Sequence, residues 1–291
     1  MNIGVIGLGI MGSAIARNAV EAGAKVAGFD VDAARLALLE RAGGQPKKSA
    51  AEVAAASELV LTSLPSTAAL EATARAIASG GKRGLIVAEL STLPIADKER
   101  ARDLLAASGI EMLDCPLSGT GAQAERRDLV VYASGERAAY ERAKPAFPLF
   151  ARLDYYLGAF GNGSKMKFVA NLLVAIHNVA SAEAMVLGIK AGLDAKLVES
   201  VIRTGAGNSR VFELRAPLMA ANDYEPPTMK IDIWKKDMEI IGRYARSLGV
   251  ATPLFDSTAP IYLRAIEEGL GAKDTAAVCA VLEKMSGLER P

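Results

Sequence analysis

The chain has 291 residues, with 34 Lys and Arg against 33 Asp and Glu, and a formal net charge of +1. That length predicts two domains, and the charge balance excludes a nucleic-acid binder, which would carry a basic excess. One histidine, His177, and two distant cysteines, Cys115 and Cys279, supply neither a metal-ligand cluster nor a disulfide framework, so no metal is expected and the chain reads as reduced and cytoplasmic.

In chain order, the first half alternates short β-type runs with alanine-rich helical runs. Strands are expected at 2–7, 25–30, 45–47, 59–64, 85–90, 111–115, 129–133 and 152–157. Helices are expected at 10–22, 32–41, 50–56, 67–79, 94–108 and 136–149. Strands alternating with helices build βαβ units around a mostly parallel sheet. The texture changes at the glycine-rich stretch 158–163. Beyond it the patterns are helical: 165–191, 196–204, 210–220, 231–248, 252–268 and 274–286, punctuated by Gly192, Gly205, Pro226-Pro227, Gly249 and Gly269. The expected fold is an α/β domain with a mostly parallel sheet, residues 1–161, followed by an all-α domain, residues 162–291. The first residues carry no basic region or cleavage site, so no signal peptide is expected. The most apolar run, 168–180, holds Asn171, His177 and Asn178. It reads as too short and too polar to span a bilayer, and no membrane partner is expected.

The string Gly7-Leu8-Gly9-Ile10-Met11-Gly12 is a G-x-G-x-x-G between the first strand and the first helix. Alone it is weak in a chain with 27 glycines. Here the second strand ends in Asp30, at the distance that completes the dinucleotide fingerprint of a Rossmann domain. Gly7 permits the tight turn, Gly9 lets backbone approach a pyrophosphate, and Gly12 lets the helix pack close to the strand. The helix N-terminus offers N–H groups and a partial positive charge to the phosphates. Asp30 can accept the ribose hydroxyls and would repel a 2′-phosphate, so NAD is expected over NADP. Arg35 either softens that preference or makes a surface ion pair.

Hydride transfer from an alcohol needs a base for the hydroxyl proton. His177 sits in an apolar helical stretch and no zinc is expected, which leaves lysine or a carboxylate. The segment 161–167, GNGSKMK, offers Lys165 and Lys167. Helical spacing from Lys167 meets Asn171, Val174 and Asn178, a polar stripe in an apolar helix. The same spacing from Lys165 meets Val169, Leu172 and Ile176, a core face. Polar groups amid apolar surface need partners. A substrate is one such partner for Lys167 and an acid is the other; spacing does not choose. Partial desolvation and the helix N-terminus would lower the pKa of a lysine placed there.

Four stretches in order resemble the β-hydroxyacid dehydrogenase family, the relatives of 3-hydroxyisobutyrate dehydrogenase and tartronate semialdehyde reductase, related to 6-phosphogluconate dehydrogenase. They are GLGIMGSAIARN at 7–18, DCPLSGTGAQAERRDLVVYASG at 114–135, GNGSKMKFVANLL at 161–173, and Lys236-Asp237 within IWKKDMEII. The resemblance covers essentially the whole chain. It implies Lys167 as the general acid/base and Asn171 as a residue that hydrogen-bonds the substrate. It implies that Ser118 and Gly119, with Thr120 beside them, hold the substrate carboxylate. Leu64-Pro65 and Ser91-Thr92 fall where the family contacts ribose and nicotinamide, and Lys236 falls where a lysine reaches the cofactor. Thr120 stands where the family has glycine, Ala170 where it often has a second asparagine, and Met229 where it has an aromatic. These departures fall at the expected pocket, so 3-hydroxyisobutyrate is not assumed as substrate. Arg210 lies outside the pattern and reads as a binder of a second anionic group or as a helix-start ion pair.

The expected activity is NAD-dependent hydride transfer between nicotinamide and a small 3-hydroxyacid or its semialdehyde, in a site between the two halves. An imine or phosphosugar-acid reductase of the same superfamily and a non-catalytic nucleotide sensor are the alternatives. A homodimer or homotetramer is expected, because the helix 165–191 carries more apolar surface than one small domain covers.

Overall fold

Strands that read as nearly continuous apolar runs must be covered on both faces. The computed structural model describes residues 1–290 and divides into two units, Met1–Lys167 and Phe168–Pro291. In the N-terminal unit the strands β1 (Asn2–Ile6), β2 (Lys25–Phe29), β3 (Gln45–Pro46), β4 (Leu59–Thr62), β5 (Ile86–Glu89) and β6 (Glu111–Asp114) form one sheet in the order β3-β2-β1-β4-β5-β6. Every pairing in it is parallel. Helices α1 (Ile10–Glu21), α2 (Ala33–Arg41), α3 (Ala50–Ala56), α4 (Thr67–Gly80) and α5 (Ile95–Ala107) connect these strands.

Successive strand residues enter opposite cores, as the period-two alternation requires. Val5, Leu61, Ile86 and Leu113 pack with Ala14 and Ile15 of α1 and Leu39 of α2. Ile6, Val60, Val87 and Met112 pack with Val53 of α3, Leu70 and Ile77 of α4 and Leu105 of α5. This is the three-layer α/β arrangement expected from the alternating pattern.

After β6 the chain makes a second, three-stranded sheet of β7 (Leu117–Ser118), β8 (Val130–Ala133) and β9 (Leu153–Tyr156). β7 runs antiparallel to β8, and β9 runs parallel to it. The two-residue β7 and the short helix α6 (Gly121–Glu125) were not foreseen, because neither is long enough to establish a period. The expected helix 136–149 is instead α7 (Arg137–Ala143) followed by a 3-10 segment, Lys144–Leu149. Pro145 and Pro148 lack the N–H that an α-helix would need there.

Helix α8 (Asn162–Lys190) starts three residues earlier than the sequence suggests. Gly163 belongs to its first turn, where a Cβ would lie 2.3 Å from the Tyr132 carbonyl oxygen. The glycine marks close packing, not a loop. At 29 residues α8 is long and apolar enough, by length and composition, to cross a membrane, which corrects the reading of 168–180 as too short. That reading stopped at the apolar run, whereas the helix continues through Ser181 and Glu183. Its buried polar side chains have protein partners: Asn171 donates to Asp237, and Asn178 donates to the Tyr262 hydroxyl and the Thr275 carbonyl.

The C-terminal unit continues from α8 with α9 (Ala195–Ile202), α10 (Arg210–Ala221), α11 (Ile231–Ser247), α12 (Pro253–Glu267), a 3-10 turn (Thr275–Ala277) and α13 (Val278–Met285). Trp234, Ile241, Phe255 and Tyr262 are buried within it. Its polar centre is Asp274, which is fully buried. Arg215 meets it at 2.8 Å, and the Thr228 and Ala276 amides donate to it. The expected helix 274–286 breaks here because Asp274 caps the 3-10 turn before α13 begins.

Candidate active site

The strand order reverses at β1, whose neighbours β2 and β4 lead the chain in opposite directions across the sheet. Open α/β sheets hold ligands at the C-terminal ends of strands beside such a reversal. Gly7 follows β1 there with φ +86°, and a Cβ on it would lie 2.1 Å from the Ser63 carbonyl oxygen. A Cβ on Gly12 would lie 1.9 Å from the Gly7 carbonyl oxygen. Gly9 is different: a Cβ there meets nothing within 4 Å. The protein itself does not require glycine at that position, and the backbone there is open to a ligand.

Gly9 is also the N-cap of α1, which no side chain caps. The first N–H groups of that helix are therefore left for an anion. Asp30, at the end of β2, accepts from the Leu8 amide at 2.6 Å and from the Asp32 amide at 2.9 Å. It fastens the glycine turn and sets a carboxylate beside it. Arg35 pairs with Asp32 at 3.9 Å on the surface. The open space over Gly9, the uncapped helix and the placed carboxylate fit a dinucleotide, with Leu8, Ile10 and Met11 completing the turn. Ile10 is exposed and Leu8 is buried.

The neighbouring loops carry the other expected contacts. The Leu64 amide donates to the Ser91 hydroxyl at 2.7 Å, so the loops after β4 and β5 are joined. Pro65 is exposed and Thr92 half-buried beside them. Ser118, Gly119 and Thr120, all half-buried, span the turn from β7 to α6. The Thr120 amide donates to the Gln123 side-chain oxygen at 3.0 Å, so it is engaged within its own turn. A Cβ on the next residue, Gly121, would come within 2.5 Å of Ile10. The buried Asn18 side chain of α1 donates to the Ala124 carbonyl of α6 at 2.7 Å. The expected carboxylate loop and the glycine turn are therefore adjacent within the N-terminal unit.

Lys167 closes that unit, half-buried, one helical turn beyond Ser164. Ser164 is buried and doubly bound to Asp114: its amide donates at 2.7 Å to one carboxylate oxygen and its hydroxyl at 2.7 Å to the other. Asp114 leads to a group that the sequence reading missed. Lys98, with no exposed surface, meets Asp114 at 2.8 Å, Glu89 at 2.6 Å and the Ser91 carbonyl at 2.7 Å. Burial alone would pull the Lys98 pKa down, but the Asp114 and Glu89 charges outweigh it and hold the ammonium well above its ordinary range. The available signal was the spacing of Lys98 with Ala101 and Leu105, which puts the lysine on the buried face of α5.

In the C-terminal unit, Asn171 is buried and donates to Asp237 at 3.1 Å, and Asp237 lies 3.5 Å from Lys236. Asn171, Asp237 and Lys236 thus form one chain of contacts. His177 is half-buried on α8, and its carbonyl accepts the Ser181 hydroxyl. Arg210 pairs with Glu213 at 2.8 Å at the start of α10. That contact holds the Glu213 carboxyl below its usual range. Both cysteines are free and buried, and burial pushes the Cys115 thiol up. Among the described residues no cluster of three His, Cys, Asp or Glu could hold a metal ion.

The sheet order and the glycine turn define a dinucleotide-binding oxidoreductase of the Rossmann type. Residues 2–159 match the NAD binding domain of 6-phosphogluconate dehydrogenase, and residues 161–282 match the NAD-binding family of NADP-dependent 3-hydroxyisobutyrate dehydrogenase. The chain belongs to the β-hydroxyacid dehydrogenase family, whose members are nicotinamide-dependent dehydrogenases of hydroxyacids. It is 35% identical to the L-threonate dehydrogenase of Cupriavidus necator, across 100% of this chain and 98% of that one. It is 28% identical to the 2-(hydroxymethyl)glutarate dehydrogenase of Eubacterium barkeri, across 99% and 97%. A crystal structure of 3-hydroxyisobutyrate dehydrogenase from Salmonella typhimurium superposes with a TM-score of 0.88 at 31% identity, covering 97% of this chain and 99% of that one.

Proposed function

We propose that the chain is an NAD-dependent dehydrogenase of a small, hydroxyl-rich carboxylic acid, with Lys167 as general acid/base. The observation that carries this reading is the placement of Lys167. It follows the turn of α8 that Asp114 holds to the sheet, in the same unit as the glycine turn and the 118–120 loop. Leu8, Gly9, Ile10, Met11 and Asp30 would hold the dinucleotide, with Leu64, Pro65, Thr92 and Lys236 as further contacts. Bound there, the nicotinamide supplies the hydride acceptor. Neutral Lys167 takes the substrate hydroxyl proton as the carbinol carbon becomes a carbonyl, and returns it in the reverse direction. Ser118 and Gly119 hold the carboxylate, Thr120 narrows that loop, and Asn171 orients the reacting oxygen. Positioning of this kind supplies several kcal/mol of a barrier.

The substrate class follows from relatives named for L-threonate and for 2-(hydroxymethyl)glutarate, both short acids with a free hydroxyl. The test is steady-state turnover with NAD and with NADP against L-threonate, 3-hydroxyisobutyrate, 2-(hydroxymethyl)glutarate and an imine panel. NAD with L-threonate is expected to give the highest kcat/KM, and turnover confined to imines would end the proposal. Asp30→Ala removes the acceptor of the Leu8 amide and the expected repulsion of a 2′-phosphate. It should lower kcat/KM for NAD by about 10- to 100-fold, the scale of one or two charge-assisted hydrogen bonds, and lower that for NADP less. An unchanged NAD-to-NADP ratio would count against the role of Asp30.

The proposal extends to a homodimer or homotetramer. Val169, Leu173 and Leu187 expose about half or more of their surface, 57%, 47% and 73%, along α8. Light scattering on the purified chain should give twice or four times the monomer mass, and a monomeric mass would refute it.

A further inference from the structure

The ammonium of Lys98 has three hydrogens and three acceptors: Glu89, Asp114 and the Ser91 carbonyl. None of the three side chains has exposed surface. Each carboxylate also holds a second piece of backbone. Glu89 accepts from the Ser91 amide at 2.9 Å, and Ser91 in turn receives the Leu64 amide. Asp114 accepts from the Ser164 amide and hydroxyl. The Gly163 amide goes to the Ser134 hydroxyl at 2.9 Å, and that hydroxyl lies within 3.3 Å of Asp114. Gly161, just before α8, has no side chain with which to cap the helix. The sheet supplies the cap instead.

Two carboxylates and one ammonium leave one net negative charge in a dry interior. Such a charge is costly unless something offsets it. Here the offset is the positive end of α8, aimed at Asp114. Buried ion pairs often add little to stability compared with apolar packing of the same volume. What this arrangement does provide is a fixed geometry, because Lys98 ties both carboxylates and the Ser91 carbonyl to one buried point.

We propose that Lys98 is a positioning residue for Lys167: through Glu89 and Asp114 it locks the 64–65 and 91–92 loops to the first turn of α8. The inference rests on the reading of Lys167 as acid/base. Those loops fall where the nicotinamide is expected, and Lys167 is one turn beyond Ser164. The lock therefore ties the loops that would contact the nicotinamide to the helix turn that leads to Lys167.

The test uses the full chain with NAD and L-threonate, or with whichever acid of the panel above turns over fastest. Lys98→Met alone leaves two carboxylates facing each other and can fail to fold. The working variant is Lys98→Met with Glu89→Gln, which keeps Asp114 on Ser164 and preserves the net charge while removing the Lys98 links to Ser91, residue 89 and Asp114. Expected is a fall in kcat of about 10-fold or more with NADH affinity unchanged by fluorescence titration. The primary deuterium isotope effect on kcat should rise, because hydride transfer becomes slower relative to product release. In a Lys167→Ala background the same pair of changes should cost little more, since neighbours that act as a unit are not additive. A folded variant with parent kcat overturns the inference, as does equal loss of turnover and NADH affinity. Full additivity with a crippling Lys167→Ala overturns positioning alone. Parent turnover in Lys167→Ala overturns the acid/base reading and the inference with it.

Discussion

Lys167→Ala should lower kcat for hydroxyacid oxidation by at least about 10²-fold, the scale of a lost general base. NADH affinity should stay within about threefold, because the proposed role of Lys167 is proton transfer and not dinucleotide binding. The residue lies beyond the part of α8 that the sheet caps, so the helix start at Gly163 and Ser164 survives the change. Kinetics and fluorescence titration separate the two effects. The pH profile adds a third reading: kcat/KM for oxidation should rise with pH through one ionisation in the parent, as a base loses its proton. That limb should vanish in Lys167→Ala. Turnover near the parent value would remove Lys167 from the mechanism.

A paired glycine experiment should give an equally large result on the cofactor side. Gly9→Ala places a methyl where the protein has open space, on a backbone at φ −65° that alanine adopts without strain. Stability should fall by no more than about 1 kcal/mol, because alanine is a poorer N-cap than glycine. NAD affinity should fall about 10²-fold or more, because the methyl stands between the phosphates and the helix N–H groups. Gly12→Ala puts its methyl on the Gly7 carbonyl oxygen, a backbone atom that cannot swing away. That variant should lose about 1–3 kcal/mol in urea unfolding, the usual cost of overpacking. Gly9→Ala should therefore show mainly in calorimetry for NAD, and Gly12→Ala mainly in urea titration. If Gly9→Ala binds NAD as the parent does, the dinucleotide does not lie on this turn.

The sheet and the helices were legible because their periods are long and clean. Val5 and Ile6, or Leu61 and Val60, alternate between two cores, and both cores show in the sequence as uninterrupted apolar runs. The glycine turn was legible because its spacing, a strand before it and an acid after it form one local pattern, although the contact that requires Gly7 comes from Ser63. Elements built from long-range contacts were hidden. α6 is held by Asn18 and Ile10 from more than a hundred residues away, and β7 exists only by its pairing with β8. The Lys98 group draws on three separate elements, and in sequence Lys98-Glu99-Arg100 reads as a solvated charged run. Gly163 was left outside the expected helix 165–191 because its close neighbour, the Tyr132 carbonyl, is 31 positions away in the chain. Asn171 was noticed as a polar residue in an apolar helix, but its partner Asp237 carries no sequence mark beyond its place after Lys236.

The bare N-terminus of α1 has a consequence for how long the protein lasts. A serine or aspartate at the N-cap is worth a few tenths of a kcal/mol more to a helix than glycine, and Gly9 gives that up. The deficit is repaired only while an anion sits on the turn. A ligand present at a hundred times its dissociation constant adds about 2.7 kcal/mol to the folded state. The folded population therefore follows the supply of the cofactor. A chain that meets a full pool resists unfolding and proteolysis, and one that meets a depleted pool is the first to be cleared.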